Sequence, residues 1–306
     1  MKKGVFENKL PQIQILLVVA IMVISLIVIT ILGFLILIPI YGADQVMSSL
    51  TFADTGILRS LQIIQSFAMF VAPAVIAGYF FSKKPARFLG FEKPIISLFF
   101  LALITFFVCQ PMISFLTQLN ESMVFPNFLK SLEDILRTAE IRTNELIFNL
   151  LDTKQPSIIS VNIFMIVILP AFGEELFFRG TLQPMFGRLF KSSHAAVWVT
   201  AFIFAFIHLQ FLSFLPRFIL GALLGYLFVY GKNIWYPIAG HFLNNLITII
   251  LFYYYRYTQP DINPFDSTDE FGTLMIIGSF ISVGLLIFLF VKISRRQSQQ
   301  DLLNIS

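Results

Sequence analysis

Residues 13–41 read IQILLVVAIMVISLIVITILGFLILIPIY, without one charged side chain. A helix needs about 20 apolar residues to cross the hydrocarbon core of a bilayer, so this run spans it with length left for tilt. Lys2, Lys3 and Lys9 precede it, as in a signal peptide. The run is too long for a signal h-region, however, and no small-residue cleavage site follows. It is read as a helix that stays in the membrane. A membrane β-barrel would instead show short alternating segments.

The rest of the chain repeats the pattern. Of 306 residues 57% are hydrophobic and 12% charged, with a mean hydropathy of +0.84. A soluble domain carries about 25% charged residues, and its core grows too slowly with size to hide this much apolar surface. The composition excludes a soluble globular enzyme, a disordered protein and a nucleic-acid binder. The single cysteine, Cys109, excludes an intramolecular disulfide and a cysteine-based metal site.

Apolar length gives eight spanning segments: 13–41, 59–81, 95–118, 157–178, 194–212, 215–231, 234–255 and 272–292. The fold class expected is therefore an all-α polytopic membrane protein of about eight transmembrane helices. Three parts follow: residues 1–156, 157–255 and 256–306. Lys and Arg gather before segment one, between two and three, four and five, and six and seven, and after segment eight, whereas 42–56 and 256–271 are mainly acidic. The positive-inside rule then places both termini in the cytoplasm.

The stretch 119–156 breaks the pattern. Leu129, Leu132, Ile135, Leu136 and Ala139 recur at helical spacing, with Lys130, Glu133, Asp134, Arg137 and Glu140 on the other face. This predicts an outer amphipathic helix that lies along the interface or caps the bundle. The acidic loop 261–270 reads as a solvated connection, and the polar tail 294–306 as a frayed end.

Ionisable side chains inside a bilayer are costly and mark functional candidates. Of the acidic residues only Glu174 and Glu175 fall in an apolar span, and the three histidines, His194, His208 and His241, fall in or beside segments five and seven. Glu175 and Arg179 stand four apart and can pair. Glu174 lies about 100° round the helix, so it must find a partner elsewhere or take up a proton, which suits a general base. The structural alternative is a buried ion pair. His208 taken alone reads as a bonded packing residue. His241 and Asn245, four apart on one face, could aim two donors at one oxygen or bond a neighbouring helix. His194 reads as interfacial.

Together these residues form a hydrolytic set. Glu174 with His208 could hold and deprotonate a water, and His241 with Asn245 could donate to the oxyanion of a tetrahedral intermediate. No Gly-x-Ser-x-Gly or His-Glu-x-x-His pattern is present. Glu174, His208 and His241 would also make an open three-ligand metal site, so a zinc ion and no metal at all both stay open.

Glu174-Glu175-x-x-x-Arg179, Phe204-x-x-x-His208 and His241-x-x-x-Asn245, in that order on successive spans, resemble the signature of the CAAX-processing and bacteriocin-processing intramembrane proteases (the CPBP or Abi family), related to the CAAX prenyl endopeptidase. The resemblance covers 157–252. It implies Glu174 as general base, His208 as the residue that helps activate the water, His241 and Asn245 as the oxyanion hole, and Glu175 and Arg179 as supports. It implies an intramembrane endopeptidase, glutamate-type or metal-dependent, that takes a membrane-associated peptide or protein in the bilayer and no nucleic acid. The weighed alternative is a catalytically inactive scaffold or a lipid- or peptide-binding immunity protein. A transporter is disfavoured because neither inverted repeats nor paired half-helices are evident. Oligomeric state and substrate are left open.

Overall fold

Backbone amides in hydrocarbon find no water, so a spanning chain closes its hydrogen bonds within helices. The structure is a computed structural model that describes residues 3–48, 54–259 and 271–303, and all its regular elements there are helical. We label the longer ones α1 (Pro11–Tyr41), α2 (Thr55–Phe81), α3 (Ile96–Val108), α4 (Gln110–Glu121), α5 (Lys130–Leu151), α6 (Pro156–Phe190), α7 (Ser193–Phe206), α8 (Phe214–Gly231), α9 (Trp235–Thr258) and α10 (Thr273–Leu303). The loop 261–270 lies outside the described residues.

Six helices, α1, α2, α6, α8, α9 and α10, are long and apolar enough to cross a membrane, and α3 with α4, bent by 43°, makes a seventh if counted as one. The segment expected at 194–212 differs. Its helix α7 stops at Phe206 after 14 residues. That is about 21 Å of rise against about 30 Å of hydrocarbon. In place of eight full spans, the described residues thus hold six or seven and one short helix.

The chain forms two compact units, Met1–Phe91 with Leu146–Ser192, and Glu92–Glu145 with Ser193–Ser306. In the first, α1 approaches α2 so closely that a Cβ on Gly33 would stand 2.8 Å from the Ile64 side chain. Small residues make such backbone contacts in membranes, while Leu16, Ile24, Ile27 and Ile36 face outward, as lipid requires. Asp54 caps α2 by accepting the Gly56 and Ile57 N–H groups at 2.7 and 3.1 Å. Buried Arg59 donates from Nε to Asn162 Oδ1 at 3.0 Å, and both side chains also donate to the Leu150 carbonyl near the end of α5.

Prolines interrupt α2 and α6 without ending them. Pro73, Pro170 and Pro184 each stand two residues past a π-type turn, at Phe67–Val71, Phe164–Ile168 and Phe178–Leu182. A proline ring strikes the carbonyl four residues back and offers it no N–H; a widened turn moves that carbonyl aside, so the helix continues. Thr181 fits this local geometry, its hydroxyl donating at 2.9 Å to the carbonyl of Leu176, five residues back.

In the second unit, Pro111 in the first turn of α4 separates it from α3. Ser279 of α10 fills the break: its hydroxyl donates to the Val108 carbonyl at 2.7 Å and accepts from the Met112 N–H at 3.3 Å. α9 meets α3 at Gly240, where a Cβ would lie 2.6 Å from the Phe106 ring. α10 stays helical to Leu303, so the tail expected to fray from residue 294 is helical through most of its length.

The amphipathic helix expected within 119–156 is α5, and two carboxylates of its polar face are buried while Lys130 and Asp134 stay exposed. Glu133 and Glu140 are each 3% exposed, whereas Leu132, Ile135 and Ile141 are 45%, 65% and 56% exposed. Glu133 accepts from Arg137 Nε at 2.7 Å and from the Phe125 N–H at 3.2 Å. Each inward carboxylate thus serves backbone donors that an apolar side chain would leave unsatisfied.

Candidate active site

Glu174, Glu175 and Arg179 belong to the first unit and lie on α6 from its regular middle into the second π-type turn. Gly173 lets α6 press onto α2, since a Cβ there would stand 2.9 Å from Val71 Cγ2. Gly180 does the same against the backbone, with the Leu89 carbonyl oxygen 2.9 Å from where its Cβ would be. Glu175 and Arg179 are wholly buried, and Arg179 Nη1 donates to Glu175 Oε1 at 2.7 Å. The guanidinium also lies 5.9 Å from the centre of the Phe178 ring. Two buried charges at this spacing offset much of each other's desolvation.

The neighbouring carboxylate has different surroundings. Glu174 is 8% exposed and lines a groove of about 1000 Å³, within the first unit, that Glu175 does not reach. The groove runs between α1 and α2, and its wall is apolar except for Thr30, Gln62, Gln65, Ser66 and Glu174. One glutamate is therefore committed to an arginine, and the other opens on a space that can take a ligand.

His208, His241 and Asn245 belong to the second unit. His208 does not sit deep in a helix as its place in the sequence suggests, because α7 ends two residues earlier and Leu209 adopts a φ of +52°. Its Nδ1 stands 2.7 Å from the Phe204 carbonyl oxygen. A carbonyl only accepts, so Nδ1 carries the ring hydrogen and Nε2 is the basic nitrogen of the neutral ring. Phe204 brings the two histidines to one ring: its centroid is 5.1 Å from that of His208 and 5.9 Å from that of His241. His241 is buried on α9. Asn245, one turn on, accepts at Oδ1 from Asn244 Nδ2 at 3.3 Å, and Asn244 Oδ1 accepts from Gln110 Nε2 at 3.4 Å. His194 is exposed, with Nδ1 3.0 Å from the Tyr226 hydroxyl, in keeping with an interfacial residue.

Two residues that the sequence motifs did not mark hold the loop after His208. Glu140 of α5 accepts from the Leu212 N–H at 2.7 Å and the Ser213 hydroxyl at 2.9 Å. Asn120 of α4 donates to the Phe211 carbonyl at 3.0 Å and accepts from the Leu215 N–H at 2.6 Å. A loop with four such bonds keeps one conformation despite its left-handed residue. The only sequence signal for Glu140 was its place on a polar helix face, and that pattern points such a residue at water.

Among the described residues, no group of three or more His, Cys, Asp or Glu side chains could hold a metal ion.

Fold and composition define an all-α polytopic membrane protein. Residues 156–247 match the family model described as type II CAAX prenyl endopeptidase Rce1-like, in accord with the CPBP resemblance, and this segment contains Glu174, Glu175, Arg179, His208, His241 and Asn245. The match supports a protease of the CAAX type. A protein of Bacillus subtilis (strain 168), described as uncharacterized protein YpbD, is 33% identical over 86 residues, which is 27% of this chain and 41% of that protein. The chain thus matches less than half the length of this relative. No solved structure matches.

Proposed function

We propose that the protein is an intramembrane endopeptidase of the glutamate type that hydrolyses a peptide bond in a membrane-associated protein or peptide. The observation that carries the reading is the divergence of the two glutamates. Glu175 is tied to Arg179, while Glu174, inside the segment that the protease family matches, lines a groove large enough for a peptide.

In this reading Glu174 takes a proton from water as its oxygen attacks the scissile carbonyl carbon. His208 helps hold that water through Nε2. The carbonyl oxygen gains charge, and donors from His241 and Asn245 stabilise it, an effect that commonly contributes about 3–4 kcal/mol per donor. The C–N bond then breaks, and Glu174 returns its proton to the leaving amine. Glu175 and Arg179 keep α6 in register. The chemistry runs at the cytoplasmic side of a bacterial inner membrane, with both termini in the cytoplasm.

A mass-spectrometric survey of new peptide termini in host membranes tests this, comparing wild type with Glu174→Gln at equal expression. Termini that depend on wild type would establish proteolysis and name the substrate. Unchanged termini, with a cellular phenotype that still follows the mutation, would put a non-catalytic binding protein in its place.

A further inference from the structure

The groove beside Glu174 carries polar groups on α2, a helix long and apolar enough to cross a membrane. Gln62 and Gln65 of α2 both line it and both are exposed. They stand three residues apart and share one helix face, their Cβ atoms about 5–6 Å apart. Ser66 and, across the groove, Thr30 of α1 add hydroxyls. Leu26, Ile31, Phe34, Leu61 and Met69 make the rest of the adjoining wall apolar. An amide presented to hydrocarbon loses its hydrogen bonds, at a cost of a few kcal/mol. Two on one face of one span, facing the cavity that holds a carboxylate, imply an occupant with donors and acceptors of its own.

A lipid tail has neither. A helical peptide has both but spends them internally. An extended peptide in an apolar environment has an N–H and a C=O at every residue with no partner of its own. A glutamine side chain offers the matching pair, a carbonyl and an NH2. Successive residues of an extended strand rise about 3.3 Å, so two glutamines at the α2 spacing reach neighbouring peptide units. The apolar wall takes the side chains between them.

We propose that this groove binds an unwound, extended apolar peptide segment, with Gln62 and Gln65 holding its backbone as it leads to Glu174. The inference rests on the endopeptidase reading for its direction, since hydrolysis needs a bared carbonyl, and it gives that reading a substrate class. Recognition is by backbone and by apolar character, with no prenyl group required.

The test uses the full chain in proteoliposomes and a short leucine–alanine peptide bearing a photoreactive diazirine. Its twin carries N-methyl groups that remove the backbone donors, and a diazirine fatty acid serves as the lipid probe. Labelling of α1 and α2 by the peptide should fall about tenfold in Gln62→Leu/Gln65→Leu and in Gln62→Ala/Gln65→Ala, the loss of two modest hydrogen bonds. The twin should label wild type about as poorly. Thermal unfolding and monodispersity identify any variant that fails to fold, and the comparison is then read from the other. Equal labelling of wild type and a folded variant, a twin that labels as well as its parent, or a groove filled by the fatty acid instead would each overturn the inference. Glu174→Gln separates it from the reading beneath it. Proteolysis lost in that variant while wild-type labelling ignores the glutamines leaves the protease and removes the groove's role. Glutamine-dependent labelling with no proteolysis in any form does the reverse.

Discussion

Replacing Glu140 with alanine would remove both bonds that α5 supplies to the loop after His208 and leave it to Asn120 and to the Arg217 side chain, which donates to Gln210 Oε1. The lost bonds run from the Leu212 N–H at 2.7 Å and the Ser213 hydroxyl at 2.9 Å to a carboxylate that is 3% exposed. Hydrogen bonds to a charged group contribute about 1.5–3 kcal/mol each. The two bonds of Asn120 persist, so we expect a net loss of about 3 kcal/mol in holding the loop, or about a hundredfold in its opening equilibrium. Amide hydrogen exchange reads this without a substrate. The Leu212 N–H should exchange up to about a hundredfold faster, and the Leu215 N–H, held by Asn120, much less so. Glu140→Gln keeps an acceptor without the charge and should recover about half the protection. With a substrate in hand, kcat should fall while KM holds, because the loop positions His208 and binds nothing itself. Unchanged exchange at Leu212 in a folded Glu140→Ala protein would refute the clamp.

Three further outcomes follow from the same geometry. Glu175→Gln leaves Arg179 charged and wholly buried and should cost about 3–5 kcal/mol in thermal unfolding, whereas Glu175→Leu combined with Arg179→Met should recover most of it; equal losses would mean the pair is not a mutual charge compensation. Gly180→Ala sets a methyl 2.9 Å from a backbone oxygen that cannot swing away, so it should lower Tm by an amount matching about 1–3 kcal/mol, and an unchanged Tm would contradict that contact. The Arg137 side chain beside Glu133 holds its carboxyl below the usual carboxylate range; with the folded value depressed, this contribution is present above the ordinary glutamate pKa and is lost as pH falls through the lowered one. Exchange protection of the Phe125 N–H should therefore drop on acidification in wild type but be pH-independent and intermediate in Glu133→Gln, which keeps an acceptor without the charge.

Apolar runs announced the spans because a bilayer sets one length for every helix, and six of the eight expected segments coincide with helices long enough to cross. The seventh, around 95–118, was legible in length but not in its bend, which depends on Pro111 and on Ser279, a partner far along the chain. The eighth misled because residues 207–212 are apolar enough to continue α7; what stops the helix is a left-handed Leu209 and a loop held by Asn120 and Glu140, a tertiary effect. Periodicity located α5 but pointed Glu133 and Glu140 at water, where the structure buries them. Beside a bilayer the apolar side can turn outward, and the inward position of Glu133 and Glu140 follows from backbone donors that no pattern displays. Spacing alone made the Glu175–Arg179 pair legible, and also the shared helix faces of His241 and Asn245. Gln62 and Gln65 went unmarked because an uncharged amide barely disturbs an apolar run; their meaning depends on the cavity they line.

The central claim is that Glu174 is the base for peptide hydrolysis within the membrane. Its most direct test is the cleavage rate of the substrate named by the terminus survey, with purified wild type and Glu174→Gln in liposomes at saturating substrate. A base that moves the proton of the attacking water contributes about a hundredfold to ten-thousandfold. The account predicts a loss of at least that size in Glu174→Gln, with substrate binding retained. Cleavage by Glu174→Gln within a few-fold of wild type would contradict it.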